Sequence, residues 1–363
     1  MSESILKEEE RIAFALRSLY KKYGYLPYKM SKFEEYDLYV TNKEFLVGDG
    51  VITFNDTDGK LLALKPDVTL SIIRNSATEG EKRKVYYNEN VYRISGKTKQ
   101  FKEIMQSGLE CIGDIGVYDV FEALFLAAGS LAEISDNFVL DISHLGILSA
   151  ILSEVCQTEG FASAVAHALA EKNRHETANI CKAYGVSEEG LQKLLTLIDA
   201  YGAPEKVLQQ LAPLCIGVAK QAFEELQALC ALLKTTPYAD RIRLDFSVVN
   251  DMNYYDDIVF KGFVDGIAEG VLSGGRYDRL MRRMGKNAGA IGFAVYLGLL
   301  EGFNAVRSET DVDVLALYDD ETSILFLVEE VQKLVQQGNS VRAQKTADGV
   351  RYQMLADLRG GKK

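Results

Sequence analysis

Between Asn250 and Leu280, a tyrosine pair, Tyr254 and Tyr255, stands directly before the apolar run Ile258-Val259-Phe260, and Gly274-Gly275 is followed by Arg276-Tyr277-Asp278. Phenols beside a strand, with glycines that admit close approach, suit a strand-lined pocket for a small polar molecule. A β-hairpin with a glycine turn leading into a helix accounts for the same pattern. A second candidate is L-K-P-D-V-T (64–69). There Asp67 and Thr69 offer a carboxylate and a hydroxyl to an ammonium group, or cap the helix that follows. A third is F-K-E-I-M-Q-S-G-L-E-C-I-G (101–113). Strand alternation puts Gln106, Gly108 and Glu110 on one face, either as a pocket floor with backbone clearance at Gly108 or as a solvent-facing edge.

Other chemistry is poorly supplied. The five cysteines are widely spaced without a C-x-x-C, and the three histidines form no ligand pair, so neither a disulfide framework nor a metal site is expected. No G-x-G-x-x-G or G-K-[ST] phosphate loop is present, and no cofactor is implied. The net charge of −11 repels polyanions on average. The densest basic clusters, Lys82-Arg83-Lys84, Lys97-Lys99-Lys102 and Arg279-Arg282-Arg283-Lys286, are short and have acidic neighbours, so nucleic-acid binding is not expected. No apolar run reaches the ~18 residues that span a bilayer. The acidic start M-S-E-S-I-L-K-E-E-E-R is unlike a signal peptide, so no membrane association and a cytoplasmic location are expected.

The elements that must position these residues are readable from periodicity. Residues 4–23 pattern as an amphipathic helix with Ile12, Leu16, Leu19 and Tyr20 on one face, ended by Gly24. Residues 51–65 read as a hairpin turning at Asp58-Gly59. Residues 84–94 and 101–113 read as strands, 118–134 as a long apolar helix, and 139–142 as a strand. From 151 to 240 strand formers thin out, and Gly160, Gly185, Gly202 and Pro204 punctuate several helices. This stretch carries seven Lys/Arg against eleven Asp/Glu. The expected organisation is a core over 1–150, an inserted helical domain over 151–240, the rest of the core over 241–305, and a short β-α-β segment over 306–363, with strands at 312–317 and 340–344.

Several ordered motifs together resemble the catalytic core of the histidyl-tRNA synthetase family. L-K-P-D-V-T (64–69) is similar to its L-R-P-E-G-T. V-Y-R (91–93) and M-Q-S-G-L-E (105–110) are similar to its second class motif. N-Y-Y-D-D-I-V-F (253–260) resembles D-Y-Y-T-G-T-V-F, S-G-G-R-Y-D-R-L (273–280) resembles G-G-G-R-Y-D-G-L, and G-F-A (292–294) opens its third class motif. The resemblance implies an α+β, class II aminoacyl-tRNA synthetase-like core with a mainly antiparallel sheet flanked by helices. It also implies a histidine pocket. Asp67 and Thr69 would hold the α-amino group, Gln106 and Glu110 would line the pocket, Tyr254 and Tyr255 would face the imidazole, and Tyr277 would close it. Arg93, at the arginine of the second motif, would meet the carboxylate.

The chain departs from the synthetase pattern where activation chemistry needs cations. The third motif, G-F-A-x-G-x-E-R, continues here as Gly292-Phe293-Ala294-Val295-Tyr296-Leu297-Gly298-Leu299, so Leu299 takes the arginine position. Asn250 stands at a second arginine position, Ser95 replaces the glutamate of F-R-H-E, and Ser31 takes the first motif's proline position. At ~3 kcal/mol per lost donor, the missing arginines remove several kcal/mol of transition-state stabilisation. The acidic insertion and the short C-terminal segment also argue against tRNA binding. The combination resembles the ATP phosphoribosyltransferase regulatory subunits, the synthetase paralogues of histidine biosynthesis. That resemblance implies a non-enzymatic chain that dimerises and joins the short-form catalytic subunit in a hetero-octamer, with histidine as ligand. A truncated histidyl-tRNA synthetase and an orphan amino-acid-binding paralogue are the alternatives.

Overall fold

The computed structural model describes residues 7–42, 50–76, 82–94, 100–249, 254–301, 303 and 310–361. Ser95, Lys97, Lys99 and Asn250, singled out above, lie outside the described residues. The chain divides into two compact units, Met1–Phe303 and Asn304–Lys363.

The larger unit opens with α1 (Glu8–Lys22), β1 (Leu26–Pro27), β2 (Phe33–Glu35), α2 (Asp37–Thr41), the hairpin β3 (Thr53–Asn55) and β4 (Leu61–Leu64), and α3 (Thr69–Arg74). Two long strands follow, β5 (Arg83–Ile94) and β6 (Phe101–Gly113), then α4 (Val117–Ala132) and β7 (Phe138–His144). The helical stretch comprises α5 (Leu145–Val155), α6 (Phe161–Ala170), α7 (Arg174–Ala183), α8 (Glu188–Asp199), the short strand β8 (Tyr201–Gly202), α9 (Pro204–Leu211) and α10 (Lys220–Leu233). The chain then returns through β9 (Ile242–Asp245), β10 (Ile258–Val264), β11 (Leu272–Arg276), α11 (Asp278–Arg283) and β12 (Gly289–Tyr296).

Local chemistry sets these boundaries. Helix α1 buries Ile12, Leu16 and Tyr20 on one face and stops before Gly24, whose φ of +81° suits glycine. Gly59, at φ +87°, turns the hairpin between β3 and β4. Pro204 occupies the first turn of α9, where its missing N–H costs nothing.

Among the described residues, nine strands form one sheet in the order β1-β5-β6-β12-β11-β10-β7-β9-β8. It is mainly antiparallel, with β1 parallel to β5 and β7 parallel to β9. Leu124 and Leu131 of α4 pack with Leu109, Phe260 and Phe293 of the strands in one apolar cluster. Phe161 and Leu169 of α6, Leu197 of α8 and Leu226 of α10 belong to that same cluster. The helices of 151–240 therefore extend the sheet's core, because their apolar faces have the sheet and α4 to bury against. A second cluster, with Tyr39, Val68, Ile72, Tyr87, Tyr277 and Leu280, gathers the elements that frame the site below.

The smaller unit has β13 (Val312–Leu317), α12 (Ile324–Gln336), β14 (Val341–Gln344) and β15 (Tyr352–Asp357). Its sheet is parallel, in the order β14-β13-β15. The β-α-β expectation thus gains a third strand. Y-Q-M-L-A-D carries no β-branched residue, and its pairing with β13 leaves no local signal. Among the described residues no helix is long and apolar enough to cross a membrane.

Candidate functional site

Strand β6 is interior to the sheet, between β5 and β12, so its Gln106–Glu110 face is not a solvent edge. Gln106 and Glu110 are 3 % and 2 % exposed. The register sets Tyr87 beside Gly108, and Gly292 and Tyr296 of β12 beside Glu110 and Gln106. Strand β11 then brings Gly275 beside Gly292 and Ser273 beside Ala294. Two strand pairs distant in sequence, β5–β6 and β11–β12, thereby share one floor.

Glycine makes that floor possible. A Cβ on Gly292 would lie 1.7 Å from Glu110 Oε2, and one on Gly275 would lie 2.6 Å from the Tyr255 ring. A Cβ on Gly108 would meet the Tyr87 hydroxyl at 2.5 Å and the Phe293 carbonyl oxygen at 2.3 Å. The clearance expected for a ligand at Gly108 is therefore used by Tyr87.

All eight residues expected in the pocket, Asp67, Thr69, Arg93, Gln106, Glu110, Tyr254, Tyr255 and Tyr277, line a single cavity. Its free space is about 90 Å³, room for several water-sized groups at about 10–15 Å³ each. Sequence reading missed Tyr87, Ser273 and Tyr296, which line it as well. The strand alternation of 84–94 was the available signal for Tyr87. For Tyr296 it was the departure from a motif glycine.

Glu110 is the polar centre. Thr69 Oγ1 donates to its Oε1 at 2.6 Å, and the Tyr277 hydroxyl donates to its Oε2. Burial nevertheless raises its pKa to about 8, with Asp67 adding to the rise against those two hydrogen bonds. Asp67 is raised as well, chiefly by burial. Its Oδ1 accepts the Leu70 amide of the first turn of α3 at 2.8 Å, one residue ahead of the Val68 N-cap, while Asp67 also lines the cavity. Burial and the neighbouring carboxylates hold the Tyr254 and Tyr277 phenols protonated. The Tyr254 ring meets those of Tyr255 and Tyr277 at 4.8 and 5.8 Å between centroids.

The loop carrying Asp67 is pinned to β5 at two points. Arg93 Nε donates to the Pro66 carbonyl at 2.9 Å. The buried Lys65 ammonium pairs with Glu89 on β5. The cavity therefore offers carboxyl groups, phenols and a guanidinium, Arg93, a set matched to a zwitterion with a flat polar side chain.

Beside this cavity lies a larger groove of about 730 Å³, lined in part by Arg93, Lys102, Asp141, Lys261 and Leu299. Leu299, partly buried against the apolar core, puts hydrocarbon where the synthetase motif has its arginine. Ser31 is exposed, two residues before β2. Among the described residues no group of three or more His, Cys, Asp or Glu side chains is placed to hold a metal ion.

Comparison with known proteins agrees with this architecture. The chain is 28 % identical over 286 residues to an ATP phosphoribosyltransferase regulatory subunit from Alkaliphilus metalliredigens, covering 76 % of this chain and 72 % of the relative. A protein of the same name from Clostridium kluyveri is 25 % identical over 356 residues, 92 % of this chain and 88 % of the relative. Among solved structures, an ATP phosphoribosyltransferase regulatory subunit/histidyl-tRNA synthetase from Bacillus halodurans superposes with a TM-score of 0.77 at 23 % identity, covering 98 % of this chain and 95 % of that one. A chain of the ATP phosphoribosyl transferase complex from Thermotoga maritima superposes with a TM-score of 0.64 at 19 % identity, covering 80 % and 97 %. These structures share the class II synthetase-like fold. The profile of the histidyl-tRNA synthetase family matches residues 2–300, most of the chain, and the chain belongs to that family.

Proposed function

We propose that this chain is the non-catalytic regulatory subunit of ATP phosphoribosyltransferase, required for the first step of L-histidine biosynthesis. One observation carries the reading. The cavity keeps an amino-acid-binding set around Glu110, while Leu299 stands where activation chemistry needs a cation. The names of the relatives above support it.

The phosphoribosyl transfer itself takes place on a short-form catalytic subunit. In the cytoplasm, dimers of this chain join that subunit in a hetero-octamer and activate it. Histidine is the ligand of the cavity. Its ammonium group meets Asp67, Thr69 and Glu110, and its carboxylate meets Arg93. Its imidazole faces Tyr254 and Tyr255, Gln106 lines the site, and Tyr277 closes it. Histidine here restrains the partner through the coupling free energy between the two sites.

The test is to purify the short catalytic subunit alone and mixed with this chain. The two are expected to co-elute, and phosphoribosyl transfer is expected to rise at least tenfold on mixing. Separate elution with no gain in activity overturns the proposal. Histidine-dependent exchange of pyrophosphate into ATP by this chain is expected to be absent, and measurable exchange contradicts the assignment of a lost active site.

A further inference from the structure

We propose that Ser273 and Tyr296 form a partition that fits the cavity to a free amino acid and excludes the same amino acid extended at its carboxyl group. The inference rests on the reading of the cavity as an amino-acid site.

Two observations meet here. The first is the position of the pair. Serine and tyrosine stand where the similar synthetase motifs, G-G-G-R-Y-D and G-F-A-x-G-x-E-R, have glycine. Strand alternation puts Gly292, Ala294 and Tyr296 on the cavity face of β12, and β11 sets Ser273 beside Ala294 on the same face. The two hydroxyls lie 2.8 Å apart and are hydrogen-bonded. Glycine at both positions would leave this stretch of floor bare.

The second is the relation between the two hollows. The cavity of about 90 Å³ and the groove of about 730 Å³ have four lining residues in common, Arg93, Tyr255, Ser273 and Tyr296. These residues border both hollows, and the proposed wall runs through them. A zwitterion held at its ammonium end by Asp67 and Glu110 turns its carboxylate toward Arg93, and so toward this wall. Any group bonded to that carboxyl carbon would have to leave the cavity across the wall, where the Tyr296 phenol and the Ser273 hydroxyl already stand. An aminoacyl adenylate is such a molecule. The partition thus acts on ligand choice, and it does so separately from the loss of the cation at Leu299.

The experiment is isothermal calorimetry on the purified chain with two probes, L-histidine and its non-hydrolysable sulfamoyl-adenosine conjugate. The wild-type chain is expected to bind histidine at least 100-fold more tightly than the conjugate. Tyr296→Gly and Ser273→Gly are each expected to narrow that ratio at least tenfold. Tyr296→Phe keeps the ring and is expected to keep the exclusion. Similar affinities of the wild type for both probes, or a ratio unmoved by both glycine variants, overturns the partition while leaving the amino-acid site standing. No histidine binding by the wild type overturns the site and the partition together. Where Tyr296→Gly does not fold, the wild-type ratio and Ser273→Gly still decide.

Discussion

Glu110 carries the electrostatics of the site. With a pKa of about 8, it is largely protonated in the empty cavity at pH 7. A ligand ammonium beside it favours the carboxylate, so histidine binding at pH 7 is expected to release a proton. Titrations in two buffers of different ionisation enthalpy should then give different heats, and Glu110→Gln should make them equal. Equal heats for the wild type contradict the assignment. The same shift has a consequence for stability. The folded pKa lies above the ordinary value of 4.5, so the contribution of Glu110 is fully present below about pH 4.5 and is lost as pH rises through about 8. Gly292 guards the geometry of this carboxyl. Gly292→Ala drives a methyl into Glu110 Oε2 and is expected to cost about 1–3 kcal/mol, read by urea unfolding. Tyr254→Ala and Gln106→Ala remove cavity walls and are expected to weaken histidine binding at least tenfold with the fold retained, checked by calorimetry and circular dichroism.

At the scale of elements, local pattern and long-range pairing were unequally legible. The hairpin at Gly59, the helix ending at Gly24 and the long strands β5 and β6 follow from periodicity and turn residues, which act over a few positions. The eight expected pocket residues do meet in one cavity, but motif resemblance placed them there, since composition alone left hairpin, cap and edge readings open. The partners of those residues were not legible. Tyr87 reaches the cavity because β5 pairs with β6, and Ser273 because β11 pairs with β12. Strand neighbours are chosen by the fold as a whole, and sequence spacing does not encode them. The helices of 151–240 show the same limit. Their glycine punctuation was readable, but their sharing of the sheet's core was not. Phe161→Ala in α6 is therefore expected to cost about 3–5 kcal/mol. It should lower a single unfolding transition of the 1–303 unit, with near- and far-ultraviolet circular dichroism coincident. A separate early transition confined to helix loss would contradict a shared core.

At the scale of the whole molecule, a synthetase-like body has a polar cavity around Glu110, leucine at position 299 and a phenol at Tyr296 beside the groove. On the proposed function, such a body would sense an amino acid without activating it, and its effect would be exerted on a partner whose state depends on the occupied cavity. The most direct measurement is the rate of phosphoribosyl transfer by the short catalytic subunit mixed with this chain, followed as histidine is titrated in. Histidine is expected to lower the rate with the wild-type chain, and Tyr254→Ala is expected to shift that inhibition to at least tenfold higher histidine while still activating the partner. A rate that does not respond to this chain, or inhibition unchanged by Tyr254→Ala, contradicts the account.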